Sequence, residues 1–337
     1  MSKPQTVLVT GATGFIAKHC ILTLLKSGYQ VRGSLRTMSR ADEVKSALAP
    51  HADVSNLTFV KLDLMSDDGW DEAMNGCDFV QHVASPFPGG EPKDENELII
   101  PAREGALRAL RAAASAGVKR LVLTSSMAAV AYGKQDRTPG PFTEADWTNT
   151  DSNIGAYIKS KTIAERAAWE FINSGAAGDL EMAVINPGAV LGPLLDNTWS
   201  TSGELVRLLL ARKMPACPRI AFAMIDVRDV AEAHLQAIIK PEAAGERFLL
   251  VTPSAWMVDV SKALSGAGYN TPTGNLPDFM VRIIALFDKT IHLAARNLGQ
   301  QTLVDNSKLK TVLGIEPRNV TEMSVSMAKT MKQFGVV

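Results

Sequence analysis

Residues 6–10 form a short β-branched, apolar run, and residues 17–26 follow with apolar positions at helical spacing. The alternation repeats along the first two-thirds of the chain. Strands are predicted over 29–35, 57–61, 78–83, 120–124 and 181–186, and helices over 41–48, 70–75, 96–116 and 154–173. Strands that alternate with helices need crossover connections, which implies an α/β fold with a parallel sheet buried on both faces. No internal repeat or low-complexity tract interrupts the pattern.

After Pro187 the pattern loosens into Gly-, Pro- and Ser-rich stretches at 188–193, 194–202 and 214–218. Helical spacing returns at 203–213, 227–239 and 257–267, and an apolar run at 247–252 is expected to rejoin the sheet. The second lobe is therefore interleaved with the first. The expected division is a first lobe over 1–190, with 226–252 returning to it, and a second lobe over 191–225 and 253–337. The greasiest helical stretch, 279–298, carries Arg282, Asp288, Lys289, His292 and Arg296, so an amphipathic packing helix is expected there rather than a bilayer span.

Composition narrows the function classes. Lys plus Arg equals Asp plus Glu, 35 against 35, which lacks the basic field that nucleic acid or an anionic membrane surface would require. Cys20, Cys77 and Cys217 are scattered, with no metal-type spacing, and the five histidines show none either. No metal is expected. The N-terminus shows no basic-then-apolar leader, and a reducing cytoplasmic location is the expectation.

The first strand runs into Gly11-Ala12-Thr13-Gly14-Phe15-Ile16-Ala17. Glycines permit a tight turn and close approach to a pyrophosphate, and the helix behind them offers free N–H groups and a positive dipole end. Gly11, Thr13, Gly14, Phe15 and Ile16 are thus candidate cofactor contacts, with Ala17 small enough for close helix–strand packing. The motif resembles that of the extended short-chain dehydrogenases/reductases, which have a Rossmann-type doubly wound sheet. The similarity extends through Asp63-Leu64, which the resemblance places by an adenine, and through His82-Val83-Ala84-Ser85-Pro86, placed by a nicotinamide ribose. It is greatest to the branch of dihydroflavonol reductases, cinnamoyl-CoA reductases and microbial aldehyde or ketone reductases. His82 itself reads as a strand residue facing packed structure.

The choice of dinucleotide is legible at the end of the second strand. NAD sites usually carry an acidic residue there for the ribose 2′-hydroxyl. Here Val31-Arg32-Gly33-Ser34-Leu35-Arg36 contains no acid. A guanidinium clamps phosphate through paired hydrogen bonds, so Arg36 points to NADPH, with Ser39 and Arg40 as further candidates and Lys45 as an outlying one. A solvated helix face explains Arg40 and Lys45 equally well.

Tyr157 and Lys161 form a Tyr-x-x-x-Lys pair on a predicted helix, one turn apart on one face and about 6 Å along the axis. A free phenol ionises near pH ~10, and the expectation is that the Lys161 charge lowers it. Tyr157 would then give its proton as a carbonyl is reduced. The resemblance further implies that Lys161 holds the nicotinamide ribose. Leu123-Thr124-Ser125-Ser126 ends the fifth strand, where open α/β sheets bind ligands. Thr124 is a candidate cofactor contact, and a serine hydroxyl can bond the substrate oxygen. The family pattern favours Ser126, with Ser125 left open. Pro187, Gly188 and Val190 lie in a segment similar to the one flanking the nicotinamide carboxamide. Asp226, Arg228 and Asp229 read as helix caps and ion pairs.

The expected partner is a small carbonyl compound, and the chain a monomer or homodimer. Phe87, Met127, Trp199 and Met224, with Met214 and Phe222, are the candidates for an apolar substrate wall. Three rivals stay open: a nucleotide-sugar epimerase or dehydratase, a hydroxysteroid dehydrogenase, and a cofactor-binding sensor without turnover. Met127-Ala128-Ala129 stands where a dehydratase of this fold carries its Asp-Glu pair. A sensor often loses the Tyr or Lys that this chain keeps.

Overall fold

The computed structural model describes residues 4–86, 92–133, 139–284 and 298–337. Its centre is a parallel sheet of seven strands: β1 (Thr6–Val9), β2 (Gln30–Leu35), β3 (Leu57–Lys61), β4 (Phe79–His82), β5 (Arg120–Thr124), β6 (Glu181–Pro187) and β10 (Arg247–Leu250). Their order across the sheet is β10-β6-β5-β4-β1-β2-β3. The chain starts in the middle, builds one half outward, then crosses over to build the other. Such a reversal leaves a crevice at the carboxyl ends of β1 and β4, where the connections part in opposite directions.

The helices divide between the two faces because each apolar stripe must be covered. On one face α1 (Phe15–Lys26) packs beside α7 (Val227–Ile239) over Val7, Val9, Val122 and Ile185. On the other, α3 (Trp70–Met74), α4 (Asn96–Ser115) and α5 (Ala156–Asn173) cover Leu8, Val80, Leu121 and Met182. The predicted helix at the first glycine loop begins two residues earlier than the pattern suggested, and the other main elements fall within a few residues of expectation. Among the described residues no helix is long and apolar enough to cross a membrane.

Small pairings that no periodicity announces complete the second lobe. β7 (Ala189–Leu191) runs parallel to β9 (Met224–Asp226), and β8 (Ala221–Phe222) pairs antiparallel with β11 (Ala255–Trp256). Gly188 permits the first, since a Cβ there would stand 2.4 Å from the Ala223 carbonyl oxygen. In α6 (Glu204–Leu210), whose spacing predicts Leu205, Leu208 and Leu209 on the buried side, the fully buried residues are Leu209, as predicted, and Val206. The C-terminal helix Val320–Gln333 buries Met323, Met327 and Met331 against this lobe. The expected helix over 279–298 is described only as Asp278–Ile284, with residues 285–297 outside the description.

Asp226 caps α7, accepting a hydrogen bond from the Arg228 N–H at 2.8 Å and pairing with the Arg228 guanidinium. Asp229 pairs with Arg318. Both carboxylates act structurally, as their sequence context suggested.

One core residue opposes the fold. Gln81 is wholly buried in register between Val9 and Val122, and neither its amide oxygen nor its nitrogen has a partner among the described residues. An unmet buried polar group costs about 1–3 kcal/mol. Gln81→Met keeps the side-chain length and removes both atoms. It should raise the thermal midpoint by several degrees, as read by calorimetry. A lowered midpoint would mean that the amide is satisfied in solution.

Candidate active site

The first turn after β1 is held from both sides. The Gly11 N–H donates to Ser34 Oγ at 3.0 Å and the Ala12 N–H to the Ser34 carbonyl at 2.9 Å, which ties the loop to β2. The Ala84 N–H donates to Thr10 Oγ1 at 2.9 Å, which ties it to the end of β4. Gly11 has φ +71°, and a Cβ there would lie 3.0 Å from Ala84 Cβ, so both conformation and space require glycine. Gly14 is the N-cap of α1 and no side chain caps that end. Its leading N–H groups therefore remain available to an anion.

This loop opens on a cleft of about 1100 Å³ along the carboxyl ends of the strands. Gly11, Thr13, Gly14, Phe15 and Ile16 line it from β1 and α1, Arg36 from β2, and Asp63 and Leu64 from β3. Val83, Ala84 and Ser85 follow β4, while Thr124 and Ser126 come from the end of β5. Tyr157 and Lys161 project from α5, and Pro187, Gly188, Val190, Trp199 and Met224 close the other side. Thus residues from both lobes, far apart in sequence, meet in one crevice.

Other candidates do not line the cleft, Ser39, Lys45 and Met214 among them. Met127 does not line the cleft; it packs in a small core cluster with Val130, Leu249 and Val251, because the turn after Ser126 points it inward. Arg40 also lies off the cleft wall, its guanidinium paired with Glu43 one turn on, at 2.6 Å. Phe87 lies outside the described residues. Cleft residues that the pattern did not single out include Pro101 of α4, Thr198, Ser200 and Leu205. Only the Gly/Pro/Ser-rich composition after Pro187 hinted at Thr198 and Ser200.

The two serines have different surroundings. Ser125 Oγ donates to the buried Glu165 carboxylate at 2.5 Å. Ser126 accepts from the Ala128 N–H at 3.1 Å and stands close enough to Tyr157 to draw its pKa down. The hydroxyl beside the phenol is therefore that of Ser126, and Ser125 serves the carboxylate. Thr124 turns its hydroxyl away from the cleft, donating to His234 Nε2 at 2.7 Å, because His234 Nδ1–H is already given to the Val230 carbonyl. His82 is buried and in contact with Thr10 Oγ1 at 3.1 Å, a packed strand residue as expected.

Burial governs the charges. Lys161 is brought down to about 8 by desolvation, opposed by the Glu165 carboxylate one turn along α5. Tyr157 is raised above the ordinary phenol value by burial, with Ser126 pulling the other way. The expectation of a lowered phenol is thus corrected: desolvation by burial is the largest influence on it. A phenol that stays protonated still suits a donor to an alkoxide, which is a far stronger base.

At the outer end of the cleft Arg36 is exposed and has no carboxylate partner among the described residues. Two cations of the second lobe are engaged elsewhere. Arg207 pairs with Glu204 and Arg219 with Asp278, and neither lines the cleft. The described residues contain no cluster of His, Cys, Asp or Glu that could hold a metal.

An uncapped helix end behind a glycine turn, at the switch point of a parallel sheet, defines a dinucleotide-binding enzyme fold. The family model of the NAD dependent epimerase/dehydratase family matches residues 7–250, and the chain belongs to that family, the extended short-chain dehydrogenases/reductases. It is 34% identical to the NADPH-dependent methylglyoxal reductase GRE2 of Saccharomyces cerevisiae, covering 98% of this chain and 99% of the yeast protein. It is 36% identical to the cinnamoyl-CoA reductase CAD2 of Medicago truncatula, over 73% of this chain and 76% of the relative. The crystal structure of the yeast methylglyoxal/isovaleraldehyde reductase Gre2 complexed with NADPH superposes with a TM-score of 0.81, at 30% identity, covering 99% of this chain and 100% of that one.

The influence of the Glu165 charge on Lys161 sets an expectation for pH dependence. If the ammonium is needed, activity falls as pH rises through the Lys161 pKa near 8. Glu165→Gln removes the anion that raises this value, so the alkaline limb of the pH–activity profile should move to lower pH. Glu165→Asp, which keeps the charge, should leave the limb closer to its original position. Identical limbs in all three proteins would rule out this coupling.

Proposed function

We propose that this chain reduces an aldehyde or ketone to the alcohol with NADPH, at the cleft where Ser126, Tyr157 and Lys161 converge. The observation that carries the proposal is the convergence of Ser126, Tyr157 and Lys161 on one cleft, together with the glycine turn. Bound NADPH would supply the hydride. The uncapped N-terminus of α1 suits its diphosphate and Arg36 its 2′-phosphate, with no acid on β2 to repel that group. Ser126 bonds the substrate oxygen, Tyr157 delivers the proton to it, and Lys161 holds the ribose and supports the proton donor. The lobe boundaries expected from sequence, 1–190 with 226–252 and 191–225 with 253–337, are part of the same proposal.

The substrate is proposed to be small or medium-sized and uncharged. A sugar nucleotide brings a diphosphate of its own, yet Arg207 and Arg219 are paired and away from the cleft. Trp199, Leu205, Phe222 and Met224 give the second-lobe wall an apolar character, with Thr198 and Ser200 as its hydroxyls. The cytoplasm is the proposed location, in keeping with three free, buried cysteines.

A screen of aryl, alkyl and ketoester carbonyls, following NADPH absorbance, tests this directly. Catalytic efficiency with NADPH should exceed that with NADH at least tenfold. Arg36→Ala should weaken NADPH binding roughly ten- to a hundredfold, the worth of one charge-assisted clamp, and leave NADH nearly unchanged. Equal use of both cofactors would contradict the assignment of Arg36. Micromolar binding of a UDP- or dTDP-sugar, with no activity on simple carbonyls, would overturn the substrate class.

A further inference from the structure

Before its last residue α1 carries one lysine, Lys18, and the fold buries it: only 1% of the residue is exposed. An ammonium in that position is costly unless paired. Its Nζ bonds the Asp196 carboxylate and lies 3.2 Å from Thr198 Oγ1. The neighbouring His19 donates from Nε2 to the Pro193 carbonyl at 2.9 Å. Two successive side chains of α1 therefore grip the segment 193–198 that follows β7.

That segment leads directly into the cleft wall formed by residues 198–202. Its internal bonds keep it in one shape. The Thr198 N–H donates to Asp196 Oδ1 at 2.8 Å, and Ser200 Oγ donates to the Val190 carbonyl at 2.7 Å. On the outer side the Leu194 N–H donates to Thr330 Oγ1 of the C-terminal helix. Lys18 does not line the cleft, so nothing in the cofactor chemistry explains a buried cation there. Arg40 and Glu43, at the start of the segment after β2, are the next charges out: Asp196 acts on Arg40 and Lys18 on Glu43.

We propose that Lys18 is a positioning residue for the substrate: through Asp196 and Thr198 it fixes the second-lobe wall of the cleft to the helix whose N-terminus faces the cofactor phosphates. The wall and the phosphate-binding end then share one rigid element, and the depth at which a carbonyl compound sits is set by the Lys18–Asp196 pair. The proposal rests on the reductase reading for its kinetic consequences, but its structural half can be measured without turnover.

Lys18→Met keeps the stem and removes the charge, and Asp196→Asn keeps the shape and removes the opposite charge. In each, KM for the best carbonyl substrate should rise about tenfold or more, since a displaced wall loosens the bound geometry. The Kd for NADPH should change less than about threefold. The double variant Lys18→Met/Asp196→Leu, which leaves no unpaired buried charge, should be no worse than either single change. Amide hydrogen exchange should speed up over 193–202 in Asp196→Asn, with the sheet unaffected. A fall in thermal midpoint with KM and local exchange unchanged would reduce the pair to a scaffold contact and overturn the proposal, as would KM and the NADPH Kd rising in parallel. If the unmutated chain reduces no carbonyl, the reductase reading fails, and the exchange measurement still decides the clamp.

Discussion

A carboxylate shut away from water must be surrounded by donors, and Glu165 draws its donors from three strands. It accepts from Ser125 at the end of β5 at 2.5 Å, from Asn186 of β6 at 2.7 Å, and from Arg247 of β10 at 2.5 Å. Asn186 donates in addition to the Ser126 carbonyl at 3.1 Å. One buried anion thereby fixes α5, which carries Tyr157 and Lys161, against the strand end that carries Ser126. Removing one partner of such a group typically costs about 3–5 kcal/mol, so the helix has little freedom to slide along the sheet. Arg247 is held in turn by the Glu144 and Asp146 carbonyls and by the Trp147 ring, whose centroid lies 3.8 Å from the guanidinium carbon.

Around that anchor the chain solves two separate problems with one sheet. Its central strands end where two loops diverge, and the glycine turn between β1 and α1 can approach another strand end only because Gly11 lacks a side chain. The second lobe supplies the opposite wall through short paired segments and the Lys18 contact. Charge is arranged to match: Arg36 is exposed with no carboxylate partner among the described residues, while Arg207 and Arg219 of the second lobe are paired with Glu204 and Asp278.

The alternation of strand and helix patterns was legible because each element buries a stripe of the expected period, and the sheet follows from that alternation. The pairs β7–β9 and β8–β11 were not, since two or three residues carry no period and exist only where distant loops meet. The same distinction holds in the site. The glycine turn, Tyr157, Lys161 and Arg36 have local signatures, and the structure places them on one cleft. Glu165 has none: four residues after a lysine, it reads as a surface pair, and its main cation lies 82 residues away. Met127 was assigned to the substrate wall for its apolar character, which serves a core cluster instead. The phenol was expected to be lowered by a charge that sequence places nearby, but the burial that raises it depends on how the whole cleft is packed.

The central claim is that Tyr157 gives the proton while other groups hold the cofactor. Tyr157→Phe separates the two functions, since the ring keeps its volume and loses only the hydroxyl. NADPH affinity, measured by fluorescence titration, should stay within about threefold of the unmutated protein. The single-turnover rate of NADPH oxidation with a saturating carbonyl substrate should fall by ~10²-fold or more. A rate within tenfold of the original, or a loss of cofactor affinity that matches the loss of rate, would contradict the account.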